Sequence, residues 1–202
     1  MNVINFGYRI PFDTLSTPII LKNNMSSLKQ ANCVKKSITE LLDKHSITEV
    51  THPFIVNPLT VSVSGSSKER LVLDLRNVNT FVDEQKVKFE GVKEAMVYTN
   101  YSKYAIKFDL KSGYHHLEIH PEHIFVLVLS WKFGSQVKYF NFTVLPFGSS
   151  SAGHIFTKTA PVLVKYWRSL GFPIVVYLDD GFTTAVDYEG WKKCLCKYKI
   201  IC

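Results

Sequence analysis

The chain contains no Cys-x-x-Cys pair. Its four cysteines, at positions 33, 194, 196 and 202, match neither a zinc finger nor a disulfide framework. A reduced intracellular compartment, cytoplasm or nucleus, is the expectation. No run approaches eighteen apolar residues, and the N-terminus lacks the basic and apolar regions of a signal peptide, so neither a membrane span nor secretion is expected. Internal repeats and low-complexity linkers are also missing. What is present is core material: 46% hydrophobic and 13% aromatic residues in a chain of 202, enough for one large or two small domains. The net charge of +7 fits a nucleic-acid partner without requiring one.

Periodicity predicts a mixed α and β chain whose strands are mostly antiparallel. Ser27 and Gln30 have capping-box spacing, ahead of a helical face of Leu28, Ala31, Val34, Ile38, Leu41 and Leu42. "HPFIVNPLTVSV" and "RLVLDLR" read as strands joined by the polar tip "SGSSKE". "FVLVLSWKF" and "KYFNFTVLPFG" form a second pair around Gly134. A helix over about 150–168 should kink or split at Pro161 and end at Gly171. The last hairpin, "PIVVYLDDGFTTAV", has its turn placed on Asp179, Asp180 and Gly181. After it, the tail "GWKKCLCKYKIIC" reads as losing helical pattern.

That last hairpin delivers two adjacent carboxylates to the end of an apolar strand. Two unit charges ~4 Å apart at an effective dielectric of ~20 repel by about 4 kcal/mol. A solvated turn accounts for one Asp comfortably. Asp109, however, also ends an apolar-flanked strand, ahead of the Ser112-Gly113 turn. If the strands are neighbours, Asp109 and Asp179 converge. Three carboxylates in one place stabilise a fold poorly but suit Mg²⁺, which prefers hard oxygen ligands. Two such ions can activate a hydroxyl and steady a leaving pyrophosphate.

In that order, "FDLKSGYHHLEI", "VLPFG" and "VYLDDG" resemble motifs A, B and C of reverse transcriptases, and "RLVLDLRNVN" resembles the fingers strand ahead of motif A. With "GYRIPF", "NPLTVS" and "KYWRSLG", the chain looks most like the reverse transcriptases of DIRS-type retrotransposons, with Gypsy-type elements next. The resemblance implies an α+β right-hand polymerase, of which this sequence would hold fingers and palm, with an antiparallel palm sheet backed by helices, the thumb being absent from it. Residues 1–84 and 117–151 would form the fingers, and 85–116 and 152–202 the palm. It implies RNA-directed DNA polymerase chemistry with two Mg²⁺ ions, Mn²⁺ being the substitute. The partners would be an RNA or DNA template with its primer, deoxynucleoside triphosphates, and the thumb and ribonuclease H portions of a polyprotein.

Carried over by position, the resemblance makes Asp109 and Asp179 the metal ligands, with Asp180 in support. Tyr114 would be the steric gate against a ribose 2′-hydroxyl, and Arg70 the fingers arginine on the triphosphate. Phe147 and Gly148 would form the motif B turn beside nucleotide and template, and Tyr177 and Leu178 would touch the primer end. Four histidines, 115, 116, 120 and 123, with Glu118 offer zinc-ligand chemistry, but the matching family segment carries similar His pairs without a zinc role, and the thiol spacing of "CLCKYKIIC" matches no familiar site. Lys29, Lys35 and Lys36 read as a solvated face rather than a phosphate contact.

The chain departs from the family at Ser149 and Gly153, where an apolar residue and a proline are usual, and carries only Lys68 in the hairpin tip. It also stops 22 residues after Asp180, 202 less 180, before motif D and the thumb. An inactive remnant that only binds nucleic acid is therefore the rival expectation. An RNA-templated RNA polymerase is a second rival, disfavoured by the bulk of Tyr114.

Overall fold

The computed structural model describes residues 3–14, 17–63, 65, 69–100, 102–110 and 112–198, with side chains through residue 193. The elements run α1 (Val3–Phe6), β1 (Ile19–Ile20), α2 (Met25–Lys29), α3 (Ala31–Asp43), β2 (Ile47–Val50), β3 (Ile55–Asn57), β4 (Leu59–Val63), β5 (Glu69–Leu73), α4 (Arg76–Asn79), α5 (Val92–Thr99) and β6 (Tyr104–Asp109). Two 3₁₀ turns follow, Gly113–His116 and Pro121–Val126, then β7 (Val128–Phe133), β8 (Gln136–Phe142), α6 (Ala152–Ser169), β9 (Ile174–Tyr177), β10 (Asp180–Ala185) and α7 (Tyr188–Tyr198). Chain contacts divide the molecule into two units, Met1–Glu84 with Tyr114–Ala152, and Gln85–Gly113 with Gly153–Cys202.

In the first unit a five-stranded sheet has the order β1-β3-β7-β8-β2. Its β3 runs parallel to both neighbours, β1 and β7, whereas the β7–β8 and β8–β2 pairs are antiparallel. A parallel strand is normally covered on both faces, and all three residues of β3 are buried. The Asn57 side-chain NH2 there donates to the Val126 and Val128 carbonyls at 2.8 and 3.2 Å, while its buried Oδ1 has no partner. The run "HPFIVNPLTVSV", expected as one strand, divides at Pro58 into β3 and β4, which join different sheets; only β4 forms the expected hairpin with β5, Leu59 opposite Leu73. Its tip residue Lys68 lies outside the described residues. Val34 and Ile38 of α3 are buried, as the periodicity requires.

The expected capping box does not form. Ser27 lies inside α2 and its hydroxyl donates to the Asn24 carbonyl at 2.8 Å. The helical run breaks at Gln30, whose ψ of 42° separates α2 from α3. Leu28 is consequently exposed rather than on the buried face.

In the second unit three antiparallel strands have the order β6-β10-β9. The α6 helix packs on them through Val164 and Trp167, against Ile174 and the partly buried Ile106, Phe108, Phe172 and Val176. Pro161 does not split α6, which runs unbroken for 18 residues. The helix ends as expected at Gly171 (φ +84°). There Phe172 N–H donates to the Trp167 carbonyl and Gly171 N–H to the Arg168 carbonyl, the paired bonds of a Schellman ending.

The final turn and the tail also differ from expectation. Tyr177 pairs with Asp180, so the final turn consists of Leu178 and Asp179, not Asp179, Asp180 and Gly181. Leu178 supplies the positive φ, 52°, at the first loop position. Gly181 serves a different purpose: it sits in β10 opposite Phe108, and a Cβ there would overlap the Phe108 ring. The tail also remains helical, as α7. Asp187 Oδ1 caps it by accepting from Gly190 N–H at 2.7 Å. Tyr188 and Trp191, three residues apart, stack at 5.4 Å. That Asp cap was the signal overlooked in the sequence. The cysteines at 194, 196 and 202 lie outside the described side chains.

Candidate active site

In the second unit β6 and β10 pair antiparallel with Asp109 directly opposite Asp180. Residues paired across antiparallel strands project to the same face, so these two carboxylates share one side of the sheet. Phe108 and Gly181, one position along, turn to the other side, where Phe108 meets Trp167 edge-on at 6.1 Å. Asp179 reaches the cluster from the turn. Its carbonyl accepts from Leu110 N–H at 2.8 Å, which ties the turn to the end of β6.

The three carboxylates differ in environment. Lys107, two residues before Asp109 and hence on its face, reaches Asp180 Oδ1 at 3.0 Å. Asp179 Oδ1 is buried and has no hydrogen-bond partner. Burial pushes the Asp179 carboxyl up from the ordinary carboxylate range, and the Asp109 and Asp180 charges push the same way. Gly113 is what lets that oxygen lie where it does, since a Cβ at this position would overlap Asp179 Oδ1 and press on the Phe156 ring. An orphaned carboxylate oxygen, held beside two more carboxylates, has the chemistry of a divalent-cation ligand. No group of three His, Cys, Asp or Glu stands in metal-holding geometry among the described residues. Asp180 is instead engaged with Lys107.

Tyr177 and Leu178 stand on the same hairpin. The Tyr177 ring is 49% exposed and leans on Phe89 at 5.0 Å. Leu178 lines a cavity of about 230 Å³ together with Phe89, Phe156, Pro161, Val164 and Val176. The cavity is bordered by Arg168, which holds both carboxylate oxygens of Glu90 at 2.7 and 2.9 Å.

The remaining sequence-selected residues belong to the first unit. Arg70 is an exposed residue of β5 opposite Ser62. Tyr114 packs edge-on against Phe147 at 5.3 Å, and His115 lies at the same distance from that ring. Gly148 has φ +108°, and a Cβ there would meet the Leu73 carbonyl oxygen at 2.6 Å. No other residue type fits that turn without moving β5. Ser149, one of the departures from the family pattern, is partnered: its hydroxyl lies 3.1 Å from that of Ser151.

Sequence reasoning passed over two features of this region. Asp74, buried at the end of β5, is forked by Arg76 Nε and Nη2 at 2.9 and 2.7 Å and accepts from Asn24 Nδ2 at 3.1 Å. The Arg76 guanidinium holds its carboxyl down at about 2. Asn79, the last residue of α4, bonds the turn at 148–150. Two of the candidate zinc ligands are occupied in other ways: His123 Nδ1 accepts from Ile10 N–H at 2.9 Å, and His120 Nδ1 accepts from Glu122 N–H at 3.3 Å.

The chain is 31% identical over 129 residues to the genome polyprotein of Petunia vein clearing virus, covering 63% of this chain and 5% of that polyprotein. It is 24% identical over 180 residues to the retrovirus-related Pol polyprotein from transposon opus of Drosophila melanogaster, 87% of this chain and 17% of the relative. For the Pol polyprotein from transposon 297 of the same fly the identity is 26% over 179 residues, 89% and 16%. The chain thus spans less than a fifth of the length of these relatives. Among the described residues no helix is long and apolar enough to cross a membrane. Residues 21–199 match the model of one family over nearly the whole chain, and the chain belongs to that family, Reverse transcriptase (RNA-dependent DNA polymerase).

Proposed function

We propose that this chain carries the polymerising site of an intracellular retrotransposon reverse transcriptase, adding deoxynucleotides to a primer 3′-hydroxyl on an RNA or DNA template. The observation that carries the proposal is the β6–β10 register, which sets Asp109 opposite Asp180 while Asp179 Oδ1 stays buried and unpartnered beside them. In the reaction the 3′-oxygen attacks the α-phosphorus, a new P–O bond forms, and the bond to the β-phosphate bridge breaks to release pyrophosphate. Two divalent ions, Mg²⁺ with Mn²⁺ as substitute, would supply Lewis acidity to the attacking and leaving oxygens. Asp109 and Asp179 would hold them, with Asp180 in support once released from Lys107.

The first unit is read as fingers and the second as palm. Arg70 on the β4–β5 hairpin would meet the triphosphate, Tyr114 would exclude a 2′-hydroxyl by bulk, and Phe147 and Gly148 would border nucleotide and template. Tyr177, half exposed on the hairpin, would touch the primer end together with Leu178. The thumb and ribonuclease H would come from further parts of a polyprotein. The motif wording favours a DIRS-type element, with Gypsy-type next.

The test is primer extension on an RNA template with Mg²⁺ and deoxynucleotides, beside an Asp179→Asn control. Extension by the parent alone supports the reading. Extension by both removes Asp179 from the metal site, and extension by neither favours the remnant that binds nucleic acid without chemistry.

A further inference from the structure

We propose that Asn79 is a positioning residue for sugar selection: its side-chain amide fixes the turn that sets Phe147 against Tyr114. The inference rests on Tyr114 being the gate proposed above.

Asn79 Nδ2 donates to the Gly148 carbonyl at 2.9 Å, and Oδ1 accepts from Ser150 N–H at 3.0 Å. A primary amide carries a donor and an acceptor in one plane, so a single side chain answers both a carbonyl and an N–H two residues apart. Asp offers two acceptors and would face the Gly148 carbonyl with like polarity. Asn79 thereby holds both ends of the turn, and the absence of a side chain at Gly148 leaves room for the Leu73 carbonyl beside it.

Asn79 is itself well fixed. Leu75 and Val78, which flank it in and before α4, are 1% and 3% exposed, and Asn79 N–H donates to the Leu75 carbonyl at 2.7 Å. The Asp74–Arg76 fork braces the start of the same helix. Immediately before the clamped stretch stands Phe147, whose ring is the neighbour of Tyr114 at 5.3 Å. Without the clamp Gly148 is free to leave its unusual conformation, and Phe147 moves with it. Tyr114 then loses the ring packed against it, and a gate that works by bulk needs its ring held still.

The test measures kcat/KM for a deoxynucleotide and for the matching ribonucleotide in single-addition primer extension, for the parent, Asn79→Asp, Asn79→Ala and Tyr114→Ala. Hydrogen-exchange protection at the Ser150 amide is followed in the same proteins. Both Asn79 variants are expected to lose about tenfold in sugar selectivity, through a gain with the ribonucleotide rather than a collapse with the deoxynucleotide. Ser150 protection should fall in both. If Tyr114→Ala loses selectivity while the Asn79 variants keep it, the gate stands and the positioning role is overturned. If Tyr114→Ala keeps full selectivity, the gate reading fails and the role of Asn79 in sugar selection fails with it. Unchanged Ser150 protection in Asn79→Asp overturns the clamp whether or not the protein extends primers.

Discussion

Asp180 lies across the strand pair from Asp109, and Lys107 on the same strand as Asp109 reaches it at 3.0 Å. On the proposed two-ion reading, the ammonium group therefore occupies Asp180 in place of a divalent cation. Among the described residues it is the cation that an ion pair brings to the three carboxylates.

Replacing Lys107 by Met should make the site easier to load. An exposed ion pair is worth little, so the gain in apparent Mg²⁺ affinity is about two- to fivefold. Titrating Mg²⁺ while following the thermal midpoint checks it. Weaker binding in Lys107→Met would show that the lysine supports the ligand geometry rather than competing with the ion.

Asp179→Asn should raise the thermal midpoint of the metal-free protein while abolishing nucleotide addition. The substitution keeps the shape of the side chain, removes one of three like charges and relieves a buried carboxylate. Added Mg²⁺ should stabilise the parent more than the variant. Calorimetry with and without the ion distinguishes these outcomes.

Gly181→Ala should destabilise the protein by about 1–3 kcal/mol, because its methyl group competes with the Phe108 ring in a packed layer. Phe108→Leu should recover part of that loss, so the two changes together cost less than their sum. A double-mutant cycle from urea unfolding measures the coupling.

The Asp74–Arg76 fork should leave its mark at acid pH. The carboxyl of folded Asp74 is depressed to about 2, below the ordinary 3.8. Its contribution is therefore present above the unfolded value and is lost as pH falls from about 4 through about 2. Arg76→Met should be less stable than the parent at pH 7 and should lose less on acidification over that interval. Denaturant unfolding at several pH values provides the measurement.

Much of the candidate site was legible because local order carries it. The apolar run Ile174–Leu178 reads as a strand, of which Ile174 and Val175 are buried, and the carboxylates at its end follow from chain order. The hairpins at β4–β5 and β7–β8 announce themselves by alternation and, in the second, by Gly134 with its φ of +62°. The final turn was misplaced because Asp-Gly is a strong turn signal and only the pairing of Gly181 with Phe108 shows why that glycine is there. The break at Gln30 was hidden for a related reason: Asn24, Ser26 and Ser27 look like helix-start residues, but Asn24 reaches Thr60 and Asp74, and the Ser26 hydroxyl accepts from Val61 N–H, instead of capping.

By itself the sequence determined which residue types were available and in what order: strands ending in acid, an aromatic five residues after Asp109, a glycine turn after Phe147. Those are properties of neighbouring residues, set by side-chain chemistry and backbone propensity. The tertiary structure decided the relationships between distant ones. Hydrogen-bond register put Asp109 and Asp180 on one face, left Asp179 Oδ1 without a partner and handed Lys107 to Asp180. Packing brought Asn79 to a turn about seventy positions away. Such contacts follow from how strands pair and helices seat, and a shift of one residue in strand register would turn the same side chains to the opposite face.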